Sequence, residues 1–240
     1  MFNTIKVTYK STNRPYRALS LLKEISKYPV IAWDLETAIK YTEEDLVEFK
    51  NILTNPDTPK AVVIDTQGKL KATALDHPHH VRVTHVSIAV SESEGYVFII
   101  DNPRIQDLVF NYLINSSQLQ ILHNASFDFK HLYYHTRKLP ASFECTQMLS
   151  KTLINHCDIL QARTGLKQLA GTWYGDWGIS ADNFTVSQMY EPHVLLYAAI
   201  DSCATLKLYH HINERCDEID EVIKEEFDAT HSTDPPPDWM

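Results

Sequence analysis

The 240-residue chain has no apolar run close to the roughly 20 residues that a membrane-spanning helix requires, so no membrane role is expected. Its first residues, Met-Phe-Asn-Thr-Ile-Lys-Val, lack the basic segment and apolar core of a secretory signal. Cysteine is sparse: Cys145, Cys157, Cys203 and Cys216 are widely separated, with no Cys-x-x-Cys pair. That argues against a disulfide scaffold and favours free thiols in a reducing cytoplasm, a host's cytoplasm if the chain is viral. Histidine is plentiful, but its spacing matches no zinc finger. The stretch Asp76-His77-Pro78-His79-His80 has no cysteine partner nearby and reads as a polar loop. Internal repeats are absent.

Positive charge is also short. The net charge is −9, which argues against gripping nucleic acid by bulk electrostatics. The deficit is local, however: from Glu214 to Met240 there are ten acidic and two basic residues, a net of −8. The body is therefore nearly neutral. Contact with nucleic acid must come from local basic residues or from bound metal ions.

What is present suits one large domain. Residues 1–29 read as a lead-in, with a short strand at Ile5–Tyr9 and a helix through Leu19, Leu22 and Ile25 that Pro29 ends. Val30–Thr37 is a strand. Residues 40–80 form an insertion of unassigned role, longer than an ordinary connection. Val81–Val90 and Tyr96–Ile100 read as a hairpin turning at Glu94-Gly95, followed by a helix over Ile105–Ile114 and a buried strand at Leu119–Leu122. Helices are predicted over Phe127–His135, Cys145–Asn155, Leu166–Tyr174 and from Pro192 to about Phe227, with Pro192 suited to a first turn. Early strands and late helices predict an α/β domain with a mixed sheet. The acidic end, 214–240, finishes in Thr-Asp-Pro-Pro-Pro-Asp-Trp-Met, a composition that predicts disorder.

The chain is organised around Val-Ile-Ala-Trp-Asp-Leu-Glu-Thr, residues 30–37. Alternation along a strand puts Asp34 and Glu36 on one face and Trp33 and Leu35 on the other. Adjacent carboxylates repel each other and resist desolvation, a conflict that a hard divalent cation removes. Taken alone, the pair is explained more simply by a strand end running into solvent, where acidic residues are common. Asp128, in His-Asn-Ala-Ser-Phe-Asp (123–128), suits either a helix's first turn or a ligand site at the sheet end. Tyr197 and Asp201 lie one helical turn apart and share a face.

Taken together, Asp34-Leu-Glu36, Asn124-x-x-Phe127-Asp128 and Tyr197-x-x-x-Asp201 resemble the three exonuclease motifs of the DEDDy branch of the DnaQ-like nucleases, nearest to the proofreading domain of family A DNA polymerases. Cys145-Thr-Gln-Met-Leu and Gly165-Leu-Lys-Gln-Leu-Ala-Gly-Thr-Trp resemble helices of the same family, and the likeness runs from about Tyr28 to His211. The histidine branch is disfavoured because Leu196 stands five positions before Asp201. The resemblance implies a ribonuclease H-like fold, a mixed central sheet flanked by helices, spanning 30–213.

It also implies a 3′–5′ exonuclease acting on single-stranded DNA ends through two Mg²⁺ or Mn²⁺ ions, about 3.5–4 Å apart in such sites. Asp34 would bridge the ions, Glu36 and Asp201 would complete the first site, and Asp128 would serve the second. Tyr197 would orient the attacking water, since a phenol with a pKa near 10 positions better than it abstracts. Phe127 would stack on the terminal base. Thr37 and Asn124 could touch the terminal nucleotide, though a strand end and a helix cap explain them too; Lys167 could touch phosphate or lie on a solvated face. With no polymerase domain in the chain, the expectation is a free-standing exonuclease or a subunit serving a separately encoded polymerase. An RNase D-like exoribonuclease and a non-catalytic polymerase- or DNA-end-binding subunit are the alternatives.

Overall fold

The computed structural model describes residues 4–39, 78–157, 164–177 and 186–231. Most of the insertion, with Asp76 and His77, lies outside these residues, as does the Pro-rich end.

Six strands form one sheet in the order β1-β4-β3-β2-β5-β6. They are β1 (Thr8–Thr12), β2 (Val30–Ile39), β3 (Val81–Ser91), β4 (Glu94–Ile99), β5 (Leu119–Leu122) and β6 (Phe143–Cys145). β2 pairs antiparallel with β3 and parallel with β5, while β1 runs parallel to β4 and β6 parallel to β5. The sheet is mixed, as expected. The segment read as a lead-in contributes the edge strand β1, which begins three residues later than the pattern predicts, and helix α1 (Pro15–Ile25).

Helices α2 (Pro103–Asn115), α3 (Ala125–Thr136), α4 (Thr146–Cys157), α5 (Leu166–Tyr174) and α6 (Pro192–His231) complete the fold. Pro15 and Pro103 stand at helix starts, where a missing N–H costs nothing, and the Asn102 side chain caps α2 by accepting from Ile105 N at 3.2 Å. α6 runs slightly past the predicted end. No helix among the described residues is long and apolar enough to cross a membrane.

Alternation along β2 divides the core. Trp33 and Leu35 pack with Leu22 and Ile25 of α1, Val109 and Phe110 of α2, and Leu132 of α3. Each fully buried side chain of this size contributes about 1.5–3 kcal/mol. The Trp33 indole N–H is satisfied internally, donating to Gln120 Oε1 at 2.7 Å, and Gln120 Nε2 donates to Leu113 O. On the opposite face, Ala32 meets Ala170 and Tyr174 of the α5 side and Tyr197 and Cys203 of α6.

The hairpin departs from the expected turn. The chain reverses at Glu92–Ser93, and Gly95 lies within β4. A Cβ built at Gly95 would sit 3.3 Å from Ala199 Cβ. The glycine therefore permits close approach of α6 to the sheet, a long-range requirement that a local turn rule mistakes for punctuation. β6 was also unforeseen, its three residues being too few to alternate visibly.

Candidate active site

Three segments bring carboxylates to one end of the sheet. β2 supplies Asp34 and Glu36, whose cross-strand partners are Ser87 and His85. Just beyond Glu36 the register with β3 shifts, a bulge of the kind that re-aims side chains beside sites; Thr84 Oγ1 donates to Glu36 O there at 3.1 Å. α6 supplies Asp201. Carboxylate oxygens of Asp34, Glu36 and Asp201 all lie within 4.8 Å of one another.

Asp128 arrives from the first turn of α3 and is almost fully buried. Its Oδ1 accepts from the backbone N–H of Leu35 at 3.0 Å, which seats the carboxylate against the strand carrying Asp34 and Glu36. Tyr197, one turn before Asp201, is buried and donates its hydroxyl to that carboxylate.

These groups resist ionising together. Burial, followed by the charges of Asp128, Glu36 and Asp201, pushes the Asp34 carboxyl well above its ordinary range. Burial pushes Asp128 up to about 8, against the Leu35 N–H, which pulls it down. Asp201 is pushed up to about 6 by burial, opposed by hydrogen bonds from Trp177 and Tyr197 and by the charge of Lys167. Burial and the neighbouring carboxylates raise the Tyr197 phenol far above its usual value. A cluster of oxygen donors, desolvated and mutually repelling, fits a hard divalent cation, which would relieve the repulsion and release the retained protons.

Two neighbours of Asp201 were not anticipated in this role. Trp177 donates its indole N–H to Asp201 Oδ1. It follows α5 with no spacing relation to Asp201, so no sequence signal points to it. Lys167, left open between phosphate and solvent, holds its Nζ 4.6 Å from the centre of the Tyr197 ring and 5.9 Å from that of Trp177. His85, buried beside Glu36 across the ladder, was also missed; its Nε2 lies 2.7 Å from Met189 O, tying β3 to the segment that enters α6.

The expected substrate contacts divide. Phe127 is half-buried, with its ring 4.9 Å from that of His131, and Thr37 is half-buried just past the bulge. Asn124 does not cap α3. It occupies the N-cap position with φ 56°, and its side chain accepts from Ser126 Oγ instead of from the helix. A capping side chain needs an extended backbone to reach back to the helix N–H groups, and the left-handed turn removes that reach. His123 spans 2.9 Å contacts to Thr146 Oγ1 and Thr164 O, linking the end of β5 to the starts of α4 and α5.

The profile of a 3′–5′ exonuclease family, that of the DNA polymerase A exonuclease, matches residues 73–217. Nothing among curated proteins matches the chain. Among solved structures, NrnC of Brucella melitensis with bound Mg²⁺ aligns at TM-score 0.53 and 16% identity, over 99% of this chain and 100% of that one. The Nibbler EXO domain of Aedes aegypti aligns at TM-score 0.62 and 12% identity, over 93% and 98%. RNase D of Escherichia coli, an exoribonuclease involved in structured RNA processing, aligns at TM-score 0.54 and 13% identity; 88% of this chain matches 46% of that protein. At these identities the structural likenesses establish the fold.

Proposed function

The chain belongs to the 3′–5′ exonuclease family, and from that premise we propose that it removes nucleotides from the 3′ end of single-stranded DNA at the cluster formed by Asp34, Glu36, Asp128 and Asp201, with divalent metal ions bound there. The observation that carries this reading is the convergence of carboxylate oxygens from Asp34, Glu36 and Asp201 within 4.8 Å. A divalent cation would offset the mutual repulsion of these carboxylates and let them ionise together.

When bound, the cation supplies the acidity that ionises a water and the positive charge that shields a phosphodiester, in the manner of two-metal sites. Asp34, Glu36 and Asp201 would hold one ion, with Asp34 shared and Asp128 serving the other. The remaining residues position. Trp177 and Tyr197 both donate to Asp201 and so fix its rotamer. The raised phenol of Tyr197 stays protonated and orients a water rather than deprotonating it. Lys167 adds positive charge at the rim beside Tyr197. Phe127, half-buried at the start of α3, offers a face for the terminal base.

RNA is the second reading, favoured by the fold shared with RNase D of Escherichia coli. One experiment tests both: 3′-labelled single-stranded DNA and RNA of the same sequence, incubated with Mg²⁺, Mn²⁺ or EDTA. The expectation is metal-dependent release of mononucleotides, faster from DNA, and absent in Asp34→Ala. Intact substrates in both metals overturn the exonuclease assignment; faster loss of RNA overturns the DNA preference.

We further propose that the acidic residues from Glu214 onward, with their net charge of −8, dock a protein partner such as a separately encoded polymerase. Unchanged co-purification of a polymerase after deleting 214–240 would remove that role.

A further inference from the structure

The geometry points to a second nucleic-acid contact surface on the far half of α3, formed by Tyr133, Tyr134 and Arg137 with His79, which binds the nucleotides upstream of the one at the carboxylates. It rests on the exonuclease reading above for its ligand, a single strand entering by its 3′ end.

The surface lies on the helix that carries Asp128. Phe127 and Tyr134 are seven residues apart on one face of α3, with the buried His131 between them. The Phe127 and His131 rings are 4.9 Å apart, and Tyr134 meets the His79 ring edge-on, also at 4.9 Å, with its hydroxyl 3.2 Å from His79 Nδ1. His79 lies in the turn just before Val81, which pairs with Ile39 beyond the Asp34–Glu36 end of β2. The stripe therefore runs from the first turn of α3 along the same end of the sheet. From Phe127 to Tyr134 is about 10 Å along a helix, the span of roughly three stacked nucleotides at 3.4 Å each.

The charge is complementary. The chain carries −9 overall, yet the segment 129–143 contains Lys130, Arg137 and Lys138 and no acidic residue. None of the three forms an ion pair among the described residues. Tyr133 is 49% exposed. The guanidinium of Arg137 lies 6.0 Å from the centre of the Tyr133 ring and 5.8 Å from that of Tyr134. Aromatic rings interleaved with cations are what sequence-tolerant single-strand binding uses.

Backbone conformation supplies an independent observation. Arg137 ends α3 with φ 58°, a left-handed conformation usually left to glycine at this position. An arginine held there against its own preference, over two tyrosines, points to a function for its side chain.

The test uses Arg137→Gly, which relaxes the backbone and so keeps the fold, and the Tyr133→Ala/Tyr134→Ala double variant. Affinity for a fluorescent 12-nucleotide oligothymidine is read by anisotropy in EDTA, where no cleavage occurs. The expectation is about tenfold weaker binding for each, with a melting temperature for Arg137→Gly no lower than wild type and a salt slope smaller by about 0.7. With Mg²⁺, KM for the 12-mer should rise while cleavage of a dinucleotide is unaltered. Binding unchanged in both variants, or equal losses for dinucleotide and 12-mer, overturns the surface. Failure of the exonuclease reading looks different: wild type would cleave neither substrate, while Arg137-dependent binding in EDTA would still support the surface.

Discussion

Asp128 and Leu35 are joined by a 3.0 Å hydrogen bond between positions 93 residues apart in the chain. The bond holds a helix-borne carboxylate against the backbone of the strand that carries Asp34 and Glu36. Replacing Asp128 with Asn keeps a carbonyl acceptor for Leu35 N–H but removes the charge. Asp128→Asn is therefore expected to fold with near-normal stability and to lose activity by about 100-fold or more, read as initial rates in saturating Mg²⁺. Activity within a few-fold of wild type would exclude Asp128 from the metal site.

The raised carboxyls set a pH dependence. Burial pushes the Asp128 and Asp201 carboxyls up to about 8 and about 6 in the folded chain, against an ordinary value of 3.8. The folded state thus binds more protons than the unfolded state between about pH 4 and 8, and stability falls as pH rises through that window. In EDTA the melting temperature should drop from pH 5.5 to pH 8.5, about the upper half of the window, and added Mg²⁺ should recover most of the loss. Asp128→Asn should flatten the upper part of the slope. A melting temperature that climbs with pH in EDTA contradicts the assignment.

Trp177 acts through Asp201, whose carboxylate it orients by a hydrogen bond. Trp177→Phe keeps an aromatic ring and deletes the donor. The expectation is a loss of about 10- to 100-fold in metal affinity or activity, measured as a shift in the Mg²⁺ activation curve. An unshifted curve would leave Trp177 a packing residue only.

His85 is pushed down to about 4 by burial, so it is neutral at working pH. Its contact with Met189 O then requires the Nε2–H tautomer. His85→Leu should lower stability by about 1–3 kcal/mol, the cost of an unsatisfied buried carbonyl, and His85→Gln should recover part of it by presenting an N–H. Chemical denaturation midpoints decide the matter; equal losses in the two variants would show that the hydrogen bond is not what His85 contributes.

Gly95 faces Ala199 of α6 with 3.3 Å available to a new Cβ. Gly95→Val should cost about 1–3 kcal/mol through overpacking and should reduce activity as well, because the displaced helix carries Tyr197 and Asp201. A variant as stable as wild type would mean that α6 yields without strain.

How much of this was legible depended on whether the signal was local. The apolar run before Asp34, the helix Leu166–Tyr174 and the Pro192 helix start follow from short-range pattern, and the structure reproduces them. The motif carboxylates were legible because their order and spacing could be read without coordinates, and the structure brings Asp34, Glu36 and Asp201 into one cluster. Gly95 misled, since its reason lies about a hundred residues away at Ala199. The cap explanation of Asn124 failed because its identity suits two backbone states, a cap and a left-handed turn, and the chain adopts the second. Trp177 and His85 carried no signal, for their partners Asp201 and Met189 become neighbours only when the sheet is complete.

β2 occupies the middle of the sheet, between β3, which follows it by some forty residues, and β5, which follows by some eighty. Chain-closure entropy must be overcome before contacts of such separation stabilise anything. The carboxylate cluster therefore has no partial form: a nascent or half-folded chain holds Asp34 and Glu36 on a strand whose neighbours are missing. Hydrolytic capacity needs those long-range pairings, so a folding chain is not a nuclease until β2 has both its neighbours.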